Sequence, residues 1–543
     1  MRKKLFMMMV FCTTLFTTNA AEADYNVIPL PQSIAAAKGA PFKLDASACI
    51  VYAGADIQMK QNAGFLSEYV EKITGVKLNV VDKKNKKTPA VVLTIDSKIK
   101  GKEAYRIQVS NQTITISGST AAGVFYGIQT LRKALPVVAP GEEVLLPAVV
   151  INDQPRFGYR GMHLDCARHF FPIDFVKKYI DILALHNMNV FHWHLTDDQG
   201  WRLEIKKYPK LTQIGSMRSG TVMGHNSDVD DAIPYGGFYT QEQAREIVEY
   251  ARMRHITVIP EIDLPGHTRA ALAAYPEYGC TGGPYEVGHT WGVYFDVLCL
   301  GQEKTYRLVL DILDEVLDIF PSEYIHIGGD ETPTRRWSEC PRCQKLATDR
   351  NIPMKKIQAY FTNRIEKHVN EKGRRIIGWD EILGGDINQS ATIMSWTGIE
   401  PGEKAARLGH DVIMTPSSHL YFDHYQTQST GSEPMAIGGY SPIEKVYGLD
   451  PAPDTLPESS RTHILGVQAN LWTEYITCPN QAEYMVMPRM AALAEIQWTP
   501  TAKKDFEQFK SRMTRFAKLY DHYGYVYAWH LWPERYNHNR SEW

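Results

Sequence analysis

The sequence predicts an α/β protein in which a (β/α)8 barrel follows a small α+β domain, and three observations carry that prediction. The chain has 543 residues, against roughly 100–200 for a single domain. Between residues 155 and 500, eight short apolar runs alternate with helical patterns, the grammar of parallel strands joined by crossover helices. The first of those runs is followed by Asp165-Cys166-Ala167-Arg168, where a doubly wound sheet would need a Gly-rich phosphate turn. A closed barrel accommodates all three.

In chain order, Arg2, Lys3 and Lys4 precede a mostly apolar run over residues 5–16, and Thr18-Asn19-Ala20-Ala21 offers a small-residue cleavage site. That pattern reads as a secretory signal peptide over residues 1–21. The run is shorter than the roughly 20 residues needed to cross a bilayer, so an exported protein without a membrane span is expected, periplasmic or secreted. Residues 24–153 read as α+β. Strands are predicted at 91–95, 105–109 and 113–117, and a helix at 121–135 carries Val124, Ile128, Leu131 and Leu135 along one face. Pro155-Arg156 marks a boundary. The barrel domain then occupies 154–500, with strands at 159–164, 188–195, 256–262, 324–327, 375–379, 392–396, 412–414 and 464–469. Helical patterns lie between several of them, at 175–185, 240–254, 304–317 and 354–371, and Thr240 with Gln243 has the spacing of a capping box. Residues 501–543 remain as a C-terminal helical extension.

The composition narrows the function classes. There are 59 Lys+Arg against 61 Asp+Glu, for a formal net charge of −2, so no basic excess marks a nucleic-acid surface. With 44% hydrophobic and 22% charged residues, the mix is globular rather than disordered. The 11 Trp, 29 Tyr and 19 Phe suit either a large core or a surface that stacks against flat ligands.

Seven cysteines follow Cys12 of the leader: 49, 166, 280, 299, 340, 343 and 478. An odd count leaves at least one free thiol. Cys340 and Cys343 form a lone CxxC, without the second CxxC or HxxxH that a zinc site would need. In an oxidising compartment a local disulfide is the expectation there, ahead of metal or redox work. Cys280 and Cys299 flank a Gly-rich loop and form a second candidate pair.

Barrel enzymes gather their chemistry at the C-terminal ends of the strands. In order those positions hold Asp165 and Arg168, Asp197 and Asp198, Asp263 and His267, then Asp330 and Glu331. Trp379, Asp380 and Glu381 follow the fifth strand, Trp396 the sixth, Tyr421 and Asp423 the seventh, and Trp472 and Glu474 the eighth. One acid beyond a strand is ordinarily a helix cap. Repetition around the ring, with indoles among the acids, points to carbohydrate: carboxylates catalyse at glycosidic bonds and flat rings stack on pyranose faces. The competing reading is metal hydrolysis. His192 and His194 share one strand face as an HxH pair would, with His163 and His267 as further ligands, but polar packing inside the barrel is the stronger expectation for them.

The adjacency of Asp330 and Glu331 bears on mechanism. An ordinary retaining glycosidase places two carboxyls about 5–5.5 Å apart as nucleophile and acid, and neighbours on a strand point to opposite faces. An adjacent pair better suits one residue that protonates the leaving group and one that supports a nucleophile belonging to the substrate.

His326-Ile327-Gly328-Gly329-Asp330-Glu331 resembles the HxGGDE signature of family 20 glycoside hydrolases, the exo-β-N-acetylhexosaminidases. Supporting motifs are Arg160-Gly161, Ala167-Arg168-His169, HWHLTDDQ at 192–199, PEIDLPGH at 260–267, GWDE at 378–381, 394–396 and LWTE at 471–474. The resemblance spans about residues 155–500, and residues 26–153 resemble the family's small α+β domain. It implies retaining, substrate-assisted hydrolysis of terminal β-linked N-acetylhexosamine through an oxazolinium intermediate. Glu331 would be the general acid, with a pKa raised by its setting. Asp330 would hold the 2-acetamido N–H, and Tyr421 its carbonyl oxygen. Arg168, Asp423 and Glu474 would bind sugar hydroxyls, and Trp379, Trp396 and Trp472 would wall the pocket. Asp197 and His267 resemble the pair that orients the acid. No metal or organic cofactor is implied. Two rivals remain: a two-carboxylate barrel glycosidase with Asp263 or Glu474 as nucleophile, and a catalytically inactive sugar-binding barrel. No role is legible for residues 426–462.

Overall fold

The computed structural model describes residues 20–53, 56–83, 87–225, 227 and 229–532. Residues 1–19 of the expected signal peptide at 1–21, and residues 533–543 of the expected C-terminal extension, lie outside them. Strands Tyr159–Asp165, Val190–His194, Thr257–Glu261, Tyr324–His326, Arg375–Trp379, Thr392–Ser395, Val412–Met414 and Ile464–Ala469 form a closed parallel barrel. Closure is made by the last strand on the first, with Tyr159 opposite Gly466. All eight expected runs are therefore strands, with ends moved by at most two residues.

The period-two alternation of a strand explains how the barrel fills. Phe191 and Trp193 face outward into the helical layer, where Trp193 meets Tyr239 and Phe320. Inside, Tyr159, Val190, Ile259, Ile377, Met394 and Ile413 make the apolar filling, topped by Trp379, Tyr421 and Trp472. Of the expected helices, Ile173–Leu185, Gln241–Arg252, Glu303–Ile319 and Ile357–Glu371 are present. The capping box forms: Gln243 N–H donates to Thr240 Oγ1 at 3.2 Å, and Thr240 N–H to Gln243 Oε1 at 2.9 Å.

The preceding domain is a seven-stranded mixed sheet packed against helices Ile57–Thr74 and Ala121–Ala134. It is joined to the barrel by the buried Arg160 guanidinium, which donates to Glu103 at 2.6 and 3.1 Å and to Asn187 O at 2.9 Å. A bidentate pair of this kind fixes orientation as well as adding energy. Helix Phe506–Tyr523 returns against both units, through Arg132 Nε to Tyr523 at 3.0 Å and Arg512 to Glu495 at 2.6 Å. Among the described residues no helix is long and apolar enough to cross a membrane.

The expected disulfides do not form. Cys280, Cys299, Cys340 and Cys343 are all free. Cys340 caps the helix Pro341–Asp349 and Cys343 sits in its first turn. Cys299 Sγ lies 3.8 Å from Cys340 Sγ and 3.7 Å from Cys343 Sγ, and Cys280 Sγ lies 3.9 Å from Cys343 Sγ, where a disulfide needs about 2.05 Å. Two distant segments meet at one point, which reading each pair locally does not anticipate.

Candidate active site

The fourth strand ends at His326, and the chain then turns through Gly328 and Gly329, with φ of 65° and 103°, to Asp330 and Glu331. A Cβ on Gly328 would lie 1.7 Å from Asp263 Oδ1, and one on Gly329 2.6 Å from Ile382, so the turn requires both glycines. Glu331 itself has φ 43° and His267 φ 47°, a strained conformation for residues with side chains. Asp330 and Glu331 are thus not neighbours on a strand, and the alternation invoked for them does not apply. The turn aims both at one imidazole: His267 Nε2 is 3.5 Å from Glu331 Oε2 and 3.7 Å from Asp330 Oδ2.

The other face of that imidazole is anchored. His267 Nδ1 lies 3.0 Å from Asp198 Oδ2 and 3.2 Å from Asp197 Oδ1. Burial lowers its pKa, but Asp197, Asp198 and Glu331 together raise it well above the ordinary value, so it stands as an imidazolium. Asp197 also meets Arg168 Nη2 at 2.9 Å and His194 Nε2 at 3.0 Å. Although burial pushes its carboxyl up, Arg168 and His267 hold it far below the ordinary range. Arg168 is set by the turn after the first strand, where Asp165 accepts from the Ala167 and Arg168 amides and faces Arg168 Nη1 at 3.3 Å. The resemblance points to Asp197 alone, and sequence does not show which of two adjacent acids faces the histidine; both do.

These groups line a cavity of about 480 Å3 at the C-terminal mouth of the barrel. Every sequence-derived site residue except Asp197 reaches it: Arg168, His267, Asp330, Glu331, Trp379, Trp396, Tyr421, Asp423, Trp472 and Glu474. The wall is aromatic. Trp396 stacks on Tyr421 at 6.0 Å and 17°, Trp472 lies 5.8 Å from Trp379, and the Arg168 guanidinium sits 5.0 Å above Trp472. Sequence reading missed Trp291 and Val293 from the loop after the third strand, Tyr475, His424, and Ile437 to Gly439. The last three give the previously silent 426–462 segment a place at the mouth.

Below the mouth lies a second polar group that the sequence did not reveal. Glu261, the last residue of the third strand, accepts from His194 Nδ1 at 2.6 Å and from Trp379 Nε1 at 2.9 Å. His192 Nε2 and His326 Nδ1 each lie 3.0 Å from it. Burial raises its pKa, but these imidazoles hold it well below the ordinary value. His192 and His194 therefore serve a carboxylate inside the barrel, as polar packing. His163 joins them edge-on, its ring 4.9 Å from that of His192. Glu261, His194 and Asp197 form a charge-alternating chain from the barrel axis that branches at Asp197 to Arg168 and His267 at the mouth, and Glu261 fixes the Trp379 indole. Glu381 does the same for Trp396, accepting from its Nε1 at 2.8 Å. Burial and Asp330 push the Glu381 carboxyl up to about 9.

Two expectations about the carboxylates change. The Glu331 pKa is lowered, not raised, because the hydrogen bond from His267 outweighs burial at an open position. Asp330 is the raised member, pushed up to about 6 by burial. Asp263 is buried, with Oδ1 accepting from Gly329 N–H at 3.2 Å; it supports the turn and is not among the cavity-lining residues.

A closed parallel barrel with an acid pair, a protonated histidine and an indole wall at its C-terminal mouth has the make-up of a glycoside hydrolase of the (β/α)8 class. Comparison with known proteins agrees. Residues 157–501 match the glycosyl hydrolase family 20 catalytic domain, and residues 24–154 match domain 2 of that family. The chain belongs to glycosyl hydrolase family 20. It is 44% identical over 510 residues to a beta-hexosaminidase of Porphyromonas gingivalis, a match that takes in 92% of this chain and 64% of that protein's length. The chain thus spans about two-thirds of that relative. Among solved structures, it resembles the family 20 β-N-acetylhexosaminidase of Streptomyces coelicolor A3(2), with a TM-score of 0.80, 32% identity and coverage of 93% and 97% of the two chains. It also resembles the family 20 exo-β-N-acetylglucosaminidase of Vibrio harveyi in complex with N-acetylglucosamine, with a TM-score of 0.82, 30% identity and coverage of 94% and 79%.

Proposed function

We propose that this protein is an exo-β-N-acetylhexosaminidase that releases terminal non-reducing N-acetylhexosamine, with retention, by substrate-assisted catalysis. The observation that carries the proposal is the turn at Gly328–Glu331, which places Asp330 and Glu331 on the same side of the cavity, both facing His267. An arrangement of nucleophile and acid on opposite sides of the bond would need a second carboxylate across the cavity. Across the cavity, after the seventh and eighth strands, stand Tyr421, Asp423, Trp472 and Glu474; Asp423 and Glu474 are given to the sugar hydroxyls and not to the reacting bond. The Vibrio harveyi relative is described with N-acetylglucosamine bound, the sugar this mechanism requires.

In the proposed reaction the acetamido carbonyl oxygen attacks C1 as the C1–O bond breaks, and Glu331 gives its proton to the departing oxygen. Asp330, as a carboxylate, accepts the acetamido N–H and offsets the positive charge of the oxazolinium. Tyr421 donates to the carbonyl oxygen and fixes its approach. Water then attacks C1 with Glu331 as base, which restores the acetamide and the protonated acid. In the open cavity Glu331 is 42% exposed. A bound sugar displaces that water, and the loss of solvation raises its pKa toward the range an acid needs. Arg168, Asp423 and Glu474 hold the hydroxyls of the terminal sugar. Asp423 Oδ1 is buried without a partner among the described residues, as an acceptor kept for a ligand hydroxyl would be. The leader at residues 1–21 is the basis for placing the enzyme outside the cytoplasm.

The test is a panel of aryl β-glycosides with and without the 2-acetamido group, together with a thiazoline mimic of the intermediate. Cleavage confined to 2-acetamido substrates and strong inhibition by the thiazoline are expected. Comparable rates on glucosides would refute substrate assistance and return Glu474 as a nucleophile.

A further inference from the structure

Cys280, Cys299, Cys340 and Cys343 place their four sulfurs within 4.8 Å of one another, three of them buried. The separations of 3.7, 3.8 and 3.9 Å run through Cys299 and Cys343, so the sulfurs form one cluster and not two pairs. With Zn–S bonds of about 2.3 Å, the edges of a tetrahedron are about 3.8 Å long. We propose that these four cysteines bind a structural zinc ion that braces one wall of the sugar cavity.

The surroundings are built for this geometry. Cys340 and Cys343 stand at the N-cap and in the first turn of the nine-residue helix Pro341–Asp349, whose positive end favours thiolates. The segment carrying Cys299 passes so close to this turn that a Cβ on Gly301 would lie 2.2 Å from Arg342 C and 2.4 Å from Cys343 N. Arg342 Nη2 donates to Gly279 O at 3.1 Å and to Cys280 O at 3.0 Å, which positions the fourth sulfur and puts a cation beside the cluster. Four thiolates with one Zn2+ carry a net charge of −2, and binding releases the four thiol protons to solvent. Trp337, fully buried, donates to Leu298 O at 2.8 Å and fixes the residue before Cys299.

The cluster closes the base of a loop. Gly279 bridges Leu298, and between them the chain runs out to Trp291, Gly292 and Val293 on the cavity wall. There Trp291 packs against His169 and Tyr475 at 5.6 and 6.3 Å. Zinc at the base ties this loop to the segment after the fourth strand, which also delivers Asp330 and Glu331.

The full chain, purified without chelator, is expected to carry about one zinc per molecule. Exchange with cobalt should give thiolate-to-cobalt charge-transfer absorption. Cys280→Ser and Cys343→Ser should abolish both signals, whereas Cys478→Ser, an exposed cysteine outside the cluster, should keep them. Metal content and the cobalt spectrum of the unmutated chain decide the matter even if a variant fails to fold. A protein that binds no zinc or cobalt at excess metal overturns the site, as does peptide mapping that finds a disulfide among the four cysteines. Removing zinc should lower Tm and raise KM with less effect on kcat; a loaded protein in which neither moves on removal would overturn the bracing role.

Discussion

The barrel interior and its mouth contain the same kinds of group, carboxylates with imidazoles and indoles, yet they are in opposite states. Around Glu261 both carboxylate oxygens accept hydrogen bonds, and neighbouring imidazoles hold the acid well below its ordinary pKa in spite of burial. At the mouth, Asp423 is also buried and Asp330 largely so, but Oδ1 of each is a buried atom with no hydrogen-bond partner among the described residues. Burial there pushes Asp330 up to about 6 and Asp423 well above its ordinary value. A satisfied acid is scaffold. Asp330 and Asp423, which also line the cavity, have acceptor oxygens left over for a ligand.

The sharpest way to break this contrast is Glu331→Gln. It should lower hydrolysis of an aryl N-acetylhexosaminide by roughly 10²–10⁴-fold, the contribution of a general acid, and leave Tm nearly unchanged. An unchanged rate would remove Glu331 from the chemistry. Glu261→Gln should do the reverse in stability. It takes away one of the two anions that face the His194 imidazolium, Asp197 being the other, a loss of about 3–5 kcal/mol for breaking a buried pair, to be read from denaturant midpoints. A change below about 0.5 kcal/mol, the level of an ordinary surface substitution, would show that the interior pocket is not ionic.

Asp423→Asn is a smaller perturbation. It should raise KM about 10–100-fold through one lost charged hydrogen bond of roughly 1.5–3 kcal/mol, while stability holds or rises because the amide keeps an oxygen for the Trp472 backbone N–H. A fall in stability with KM intact would place Asp423 with the scaffold instead. The smallest effect is in pH. Asp330 works as a carboxylate and takes up a proton below about 6, so kcat/KM should decline on the acid side of that value, and Asp330→Asn should lose that limb along with most activity. Stability responds in the opposite sense. Folded Asp330 keeps its proton up to about 6 whereas the unfolded chain loses it near 3.8, so this group costs stability as pH rises through that window and costs none below it. An acid limb that survives Asp330→Asn would assign the titration elsewhere.

The barrel was legible because its strands are short apolar runs and its helices carry period-3.6 stripes, both local properties. The site was legible to the extent that barrels present strand ends, which brought Arg168, Tyr421, Trp472 and their neighbours into view. Glu261 was hidden because an acid within a strand has no local mark of partners coming from three other strands. Trp291 was hidden in a loop, where an indole can be core or wall. The Asp330–Glu331 inference rested on strand alternation, and the Gly328–Gly329 turn removed its premise while leaving the pair together.

By itself, then, the sequence determined the order of strands and helices, the ring of acids and indoles, and the sugar chemistry they suit, because periodicity and residue type are written along the chain. Tertiary structure decided which acid is raised and which lowered, that Asp198 shares His267 with Asp197, and that four cysteines from separate segments meet in one cluster. Charge state and ligand geometry depend on distances between residues far apart in sequence, and those distances exist only once the barrel has closed.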